Sequence, residues 1–313
     1  MKKILLTSLV AASTLFGAAS LESVLKNVSI PDVDAAIKDA KTLQKDINTK
    51  NFEDLLVSWK KVEALYFAGD INEDFIDTPR YIDVFHNLKE NLSEQMQRAI
   101  DSKDEPRIAL FKNSFKTINA LEYVLYNDDK ITDREKALTV EILNTMISNL
   151  EDIKTVYKEY LAGEKKSEKW ENAMIINTLI ASSYRLKEWR IGDASGNSTK
   201  YKNSIDNRRA EYFLSKNSFK AIEAILEAHE EVIGNKDYYN FASMAKEAGA
   251  GEQVKEAQDA IAQTLKEIKK LENDDFTKAK DLFNASKALH FAYYLSLIEE
   301  LSVTAKILDA DGD

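Results

Sequence analysis

The chain has no cysteine, only three prolines and only nine glycines in 313 residues. The absence of cysteine excludes disulfides, thiolate nucleophiles and thiolate metal ligands. It also excludes lipid attachment at a cysteine, so the chain is not a lipoprotein. So few helix breakers argue against a β-rich or loop-rich fold and suit long helices. Histidine is scarce too: His86, His229 and His290 are the only three. No pair of them forms the H-E-x-x-H zinc motif, and no G-x-S-x-G elbow occurs. The common hydrolase machineries are therefore missing, and the residues give no positive sign of an enzyme.

What is present begins with an export signal. Lys2 and Lys3 precede a mostly apolar run from Ile4 to Gly17, and Ala18-Ala19-Ser20 supplies small residues for cleavage. That run is too short, and too close to the end, for an ordinary transmembrane helix, and an uncleaved anchor is the alternative to a cleaved signal. The expected location is the periplasm, with residues 1–20 removed. The full chain carries a net charge of −10, and losing two lysines gives −10 − 2 = −12. Such an acidic protein is a poor partner for nucleic acid or an anionic membrane and a better one for cations.

Helical periodicity dominates the remainder. Leu138, Ile142, Met146, Leu150, Ile153, Tyr157 and Tyr160 recur at three- and four-residue steps, as do Val254, Ala257, Ile261, Leu265, Ile268 and Leu271. Thr132 before Asp133 and Glu135 reads as an N-cap with an acidic first turn. Further helices are expected at about 33–48, 51–68, 82–101, 105–126, 168–190, 203–233 and 276–307. The fold class is all-α. A polar stretch at Ala162–Ser167 suggests two helical-bundle domains, 21–165 and 166–313, although the loop at Gly192–Ser198 is a second candidate boundary. The string N-S-F-K-x-I occurs at Asn113–Ile118 and again at Asn217–Ile222, which raises a degenerate duplication.

One carboxylate stands out. If 105–126 is a single helix, Phe111, Phe115, Ile118, Glu122 and Leu125 share one face. Glu122 then lies on an apolar stripe with Asn119 beside it. A buried carboxylate is costly unless it is paired or hydrogen-bonded. Asn119 and Glu122 are accordingly the first candidate ligand site, with Tyr123 next to them. An oxygen pair of this kind suits Ca²⁺, water or a polar organic group better than a soft transition metal. The competing reading is a polar pair that locks two bundles together.

The window Thr117–Leu125 resembles the signature of the imelysin family, Gly-x-His-x-x-Glu followed by an aromatic-rich EYLL run. Glu122 and the E-Y-V-L continuation match, whereas Thr117 stands for the Gly and Asn119 for the His. The terminal Asp309-Ala310-Asp311-Gly312-Asp313 resembles the family's N-x-x-D-G-D ending. The resemblance implies two helical bundles with a site between them and a role in iron or metal acquisition. It also brings a metallopeptidase reading, which the loss of the signature histidine disfavours. The cofactor candidates are a metal ion at Glu122 and Asn119, iron by the resemblance or calcium by the donor chemistry, or haem with His86 or His290 as axial ligand and tyrosines as alternatives. Implied partners are a metal or small polar ligand, or a periplasmic or membrane protein of a transport or redox system.

Weaker site candidates are Trp59, Arg80, Asp83, Arg190, Asp193 and Arg208. Arg190, at the end of a predicted helix, is the expected bidentate partner of Glu122. Glu227, Glu230 and Glu231 around His229 read as a solvated acidic face, and His290 as a core or interface histidine.

Overall fold

A computed structural model describes residues 19–86 and 90–306. All regular structure among them is helical. The principal helices are α1 (Ile30–Lys45), α2 (Thr49–Ala64), α3 (Leu92–Asp101), α4 (Ile118–Tyr126), α5 (Asp133–Ala162), α6 (Glu168–Arg185), α7 (Ser218–Ile233), α8 (Phe241–Glu247), α9 (Gly251–Ile268) and α10 (Lys280–Phe291). No helix among the described residues is long and apolar enough to cross a membrane.

In the first half, α1 packs against α2 and α5; in the second, α9 packs against α7 and α10. Contact between α2 and α7 joins the halves. The helical start of the described chain, Ala19–Val24, packs on α6 and α8, so it ties into the second half. One connected hydrophobic cluster runs from Leu21 to Leu297. The turn between α5 and α6 occupies the polar stretch proposed as a domain boundary.

The longest predicted stripe is realised in full. Leu138, Ile142, Met146, Leu150, Ile153, Tyr157 and Tyr160 are all buried on α5. Thr132 Oγ1 accepts from the Glu135 amide, and Glu135 returns a carboxylate to the Thr132 amide, closing a capping box. Such a cap contributes about 1 kcal/mol.

Several predicted helices are shorter than expected; 276–307, for one, is a 3₁₀ turn at Phe276–Lys278 and then helical only from Lys280 to Glu300 among the described residues. Among the described residues, the stretch 82–101 is helical at Ile82, not over 83–86, and again from Leu92 to Asp101. The stretch 105–126 breaks into Pro106–Ala109, a 3₁₀ turn at Asn113–Lys116, and α4. Thr117 causes the last break: its extended backbone ends the turn, and its hydroxyl caps α4 by accepting from the Ala120 amide. Phe111 therefore leaves the stripe and is 70% exposed, while Phe115, Ile118, Glu122 and Leu125 stay buried. The stretch 203–233 is helical mainly from Ser218 onward, because residues 199–217 form a series of turns. The two N-S-F-K-x-I strings consequently differ in conformation: Asn113–Lys116 is 3₁₀, whereas Ser218 and Phe219 already belong to α7.

Among the described residues, three helices contain π-helical segments, at Leu25–Ser29, Leu186–Gly192 and Ala292–Leu297. The second extends α6 and positions Trp189 and Arg190. Gly192 is required there. A Cβ on it would lie 2.8 Å from the Lys187 carbonyl oxygen and 2.9 Å from Ser198 Cβ.

Candidate functional site

The charged centre of the protein is built around Lys60. Phe52, Leu56 and Lys60 follow at four-residue steps on α2, so Lys60 lies on the helix's apolar face and is fully buried. Its Nζ contacts one oxygen of each of three carboxylates: Glu63 at 2.7 Å, Asp83 at 2.6 Å and Glu211 at 2.5 Å. Arg190, from the π-helical segment, closes the other side. Its Nη2 lies 2.8 Å from both Glu63 oxygens, and its Nε lies 2.8 Å from Glu211 Oε2. Trp59 Nε1 and the Tyr212 hydroxyl donate to Asp83 Oδ2 at 3.1 and 3.3 Å, and the Phe85 amide donates to Asp83 Oδ1 at 2.9 Å.

The electrostatics follow from burial opposed by counter-charge. Burial pulls Lys60 toward neutrality, but Asp83, Glu211 and Glu63 together raise its pKa above the ordinary value. Arg190 is raised in the same way by Glu211 and Glu63. Burial acts to raise Asp83, yet the Lys60 charge and hydrogen bond outweigh it and hold the carboxyl at about 2. Burial is likewise overcome at Glu63, which Arg190 and Lys60 hold below the ordinary range. At Glu211 burial prevails over the same two cations, and its pKa is raised. Three acids face two cations, so Glu211 is where the surplus negative charge is least well tolerated.

Glu63, Asp83 and Glu211 form a group of three carboxylates whose oxygens lie within 4.8 Å of one another. The Lys60 ammonium already sits among those oxygens, in the position a shared metal ion would take. These residues as arranged do not fit a metal. Glu122 is not part of this group, and Asn119 and Glu122 are each engaged elsewhere.

Asn119 Oδ1 accepts from the Val84 amide at 2.8 Å. It thereby fixes the segment that carries Asp83 on one side and His86 on the other. Glu122 is 5% exposed, and its Oε1 accepts from both the amide and the hydroxyl of Ser215, at 2.9 and 2.7 Å. Burial pushes its carboxyl up to about 7; the Ser215 bonds oppose this, and Glu211 and Asp274 add to it. The expected Arg190–Glu122 pair does not form. Arg190 is taken by Glu63 and Glu211, and Ser215 meets the need that Glu122 has for a partner.

The remaining candidates do not gather at one place. Trp59, Asp83 and Arg190 converge on the Lys60 centre. Asp193 Oδ2 lies 2.6 Å from Nε2 of His86, whose ring stacks on Trp189 at 4.4 Å with planes 3° apart. Tyr123 donates to Gln97 Oε1 at 2.9 Å on α3. Arg80 and Arg208 are instead exposed and pair locally with Asp77 and Asp206, away from the buried centre.

His229 and His290 are core histidines. His229 is fully buried between Ser182 and Tyr293, and burial lowers its pKa to about 3. His290 Nδ1 meets Ser183 Oγ at 3.1 Å, the ring stacks on Tyr294, and burial lowers its pKa to about 4. Glu227 and Glu230 beside His229 are exposed, as the sequence suggested, whereas Glu231 is half-buried and accepts from the Tyr238 hydroxyl at 2.6 Å and pairs with Lys236 at 2.9 Å. Neither His86 nor His290 presents an unengaged ring for haem. The acidic terminus, Asp309–Asp313, lies outside the described residues.

Lys60, Glu63, Glu211, Tyr212 and Ser215 were not singled out from the sequence. Lys60 carried a readable signal, because it lies four residues after Leu56 on an apolar face. Glu211, Tyr212 and Ser215 lie in turns, where no periodicity marks which side chains point inward.

The same overall arrangement occurs in solved structures. An imelysin-like protein from Psychrobacter arcticum 273-4 superposes with a TM-score of 0.69 at 15% identity, covering 92% of this chain and 96% of that one. A candidate iron-regulated protein A precursor from Parabacteroides distasonis ATCC 8503 gives a TM-score of 0.68 at 12% identity, covering 90% and 93%. At these identities the likeness shows a shared fold. No curated protein sequence matches. The imelysin family model matches residues 25–303, nearly the whole described chain, and the chain belongs to the imelysin family.

Proposed function

We propose that this protein is an exported, periplasmic accessory protein in iron acquisition. In this reading it works through contacts with a protein of a membrane transport or redox system, and it does not close on a small ligand at Asn119 and Glu122. The observation that carries the reading is the saturation of the buried polar centre by the chain itself. Lys60 stands where a cation would bind, Asn119 holds Val84, and Glu122 holds Ser215. The iron connection is supported by the description of the Parabacteroides relative. Export is supported by the basic-then-apolar start of the sequence.

The test pairs physiology with metal analysis. A strain lacking the protein should grow more slowly under iron chelation and recover on complementation. Mature protein purified from the periplasm should carry no stoichiometric iron or calcium, and Glu122→Gln should complement as well as wild type. Stoichiometric metal lost in Glu122→Gln would return the function to ligand capture at that residue. Unimpaired growth of the deletion strain under chelation would remove the iron role.

A further inference from the structure

The chain carries ten more negative than positive charges, yet one surface loop has the opposite balance. Residues 199–216 contain Lys200, Lys202, Arg208, Arg209 and Lys216 against only Asp206 and Glu211. Glu211 points inward and is consumed by Lys60 and Arg190. The outward balance is therefore five cations less one acid, or +4. Arg208 pairs with Asp206, and Arg209 is turned onto the Tyr201 ring at 4.0 Å. Lys200, Lys202 and Lys216 are exposed and pair with no acid among the described residues.

The same loop exposes large apolar side chains: Ile205 at 52%, Phe213 at 41% and Leu214 at 39%. It is firmly anchored from behind. Gly196 turns the chain at φ +68°, the Asp206 amide donates to the Ala194 carbonyl, and Ser215 is held by Glu122. Phe213 and Leu214 are thus exposed on a fixed base, in the same loop as Lys202 and Lys216 and as Lys200, whose ammonium lies 5.3 Å from the centroid of the Tyr201 ring.

We infer that the loop 199–216 docks the protein on an anionic phospholipid surface, with Phe213, Leu214 and Ile205 entering the headgroup layer and Lys200, Lys202 and Lys216 meeting the lipid phosphates. A loop that exposes both lysines and large apolar side chains matches a surface that is negative outside and hydrocarbon beneath. The acidity of the whole molecule does not prevent this docking. At physiological salt the screening length is about 8 Å, so the charges that govern its approach to a surface are the loop's own and the two acids touching it, Glu188 at the Thr199 amide and Asp275 beside Asn207. With three apolar side chains and no amphipathic helix in the loop, the binding is reversible and salt-dependent.

The test is co-sedimentation of the full mature chain with vesicles of phosphatidylglycerol mixed into phosphatidylcholine, beside vesicles of phosphatidylcholine alone. The expected result is binding to the anionic vesicles at low salt, release at high salt, and none to the neutral ones. Changing Lys200, Lys202 and Lys216 to Gln together should weaken binding about a hundredfold. The Phe213→Ser/Leu214→Ser double variant should also weaken it. Changing Lys38, Lys45 and Lys103 to Gln, an equal change in net charge at other exposed sites, should leave binding intact. Circular dichroism of each variant confirms that it is folded. No binding to anionic vesicles, or equal loss in the two lysine triples, overturns the inference. A photo-crosslinker at Phe213 that captures an acidic protein in cells, without vesicle binding in vitro, overturns it in favour of a protein partner.

Discussion

Lys60 Nζ lies 2.6 Å from Asp83 Oδ2 in a fully buried setting, and the pair joins α2 to the segment held by Asn119. A buried ion pair contributes little net stability when intact, because desolvation offsets the attraction. Removing one member is different, since it strands the other charge without water or partner.

Lys60→Met should therefore destabilise the fold by about 3–5 kcal/mol. The methionine fills similar space but leaves Glu63, Asp83 and Glu211 facing Arg190 alone. Urea unfolding at neutral pH measures the loss. A change below about 1 kcal/mol would show that solvent reaches the centre.

Glu122 gives a pH dependence of definite sign. Its carboxyl titrates at about 7 in the fold, against 4.5 in the unfolded chain. Below pH 4.5 both states hold the proton. Between 4.5 and 7 only the folded state keeps it, so this contribution is lost as pH rises and is flat above 7. The full loss is about 3 kcal/mol as an order of magnitude. Subtracting the stability-versus-pH curve of Glu122→Gln from that of wild type isolates this slope. Two superimposable curves would mean that the group titrates normally.

Asn119→Ala removes the acceptor for the Val84 amide and should cost about 1–3 kcal/mol. Amide hydrogen exchange should quicken at Val84 before it changes in α5, which is stabilised independently. Unchanged protection at Val84 would show that the amide has another acceptor.

Gly192→Ala forces a methyl group against the Lys187 carbonyl and Ser198. A loss of about 1–3 kcal/mol is expected in thermal unfolding. Because Gly192 closes the segment that aims Arg190, the Arg190–Glu63 contact should loosen in a structure of the variant.

Much of the fold was legible because long amphipathic helices write their period into the sequence. The stripe of α5 and its Thr132 cap were readable residue by residue. Helix breaks were harder, since Thr117 ends one element and caps the next without proline or glycine to announce it. The site was legible in part. Trp59, Asp83 and Arg190 were singled out and do converge, and Glu122 was correctly read as buried. Its partner was misread because the sequence shows that a buried carboxylate needs a donor but not which one. Arg190 is a stronger donor than Ser215, but it is engaged by two nearer acids. Net charge was also a poor guide to the surface, because the +3 of residues 199–216 is hidden within a sum of −10.

The π-helical segments bear on how this chain is compared with its relatives. A residue accommodated as a bulge advances the chain by one position without completing a further α-turn, so the faces beyond it are offset by about 100° from an uninterrupted helix. Alignments that assume continuous helical phase across 186–192 or 292–297 place the following residues on the wrong face. Equivalence to Arg190, Asp193 or Tyr293 in another member of the family is better assigned from superposed backbones, with a single-residue gap allowed in each bulge.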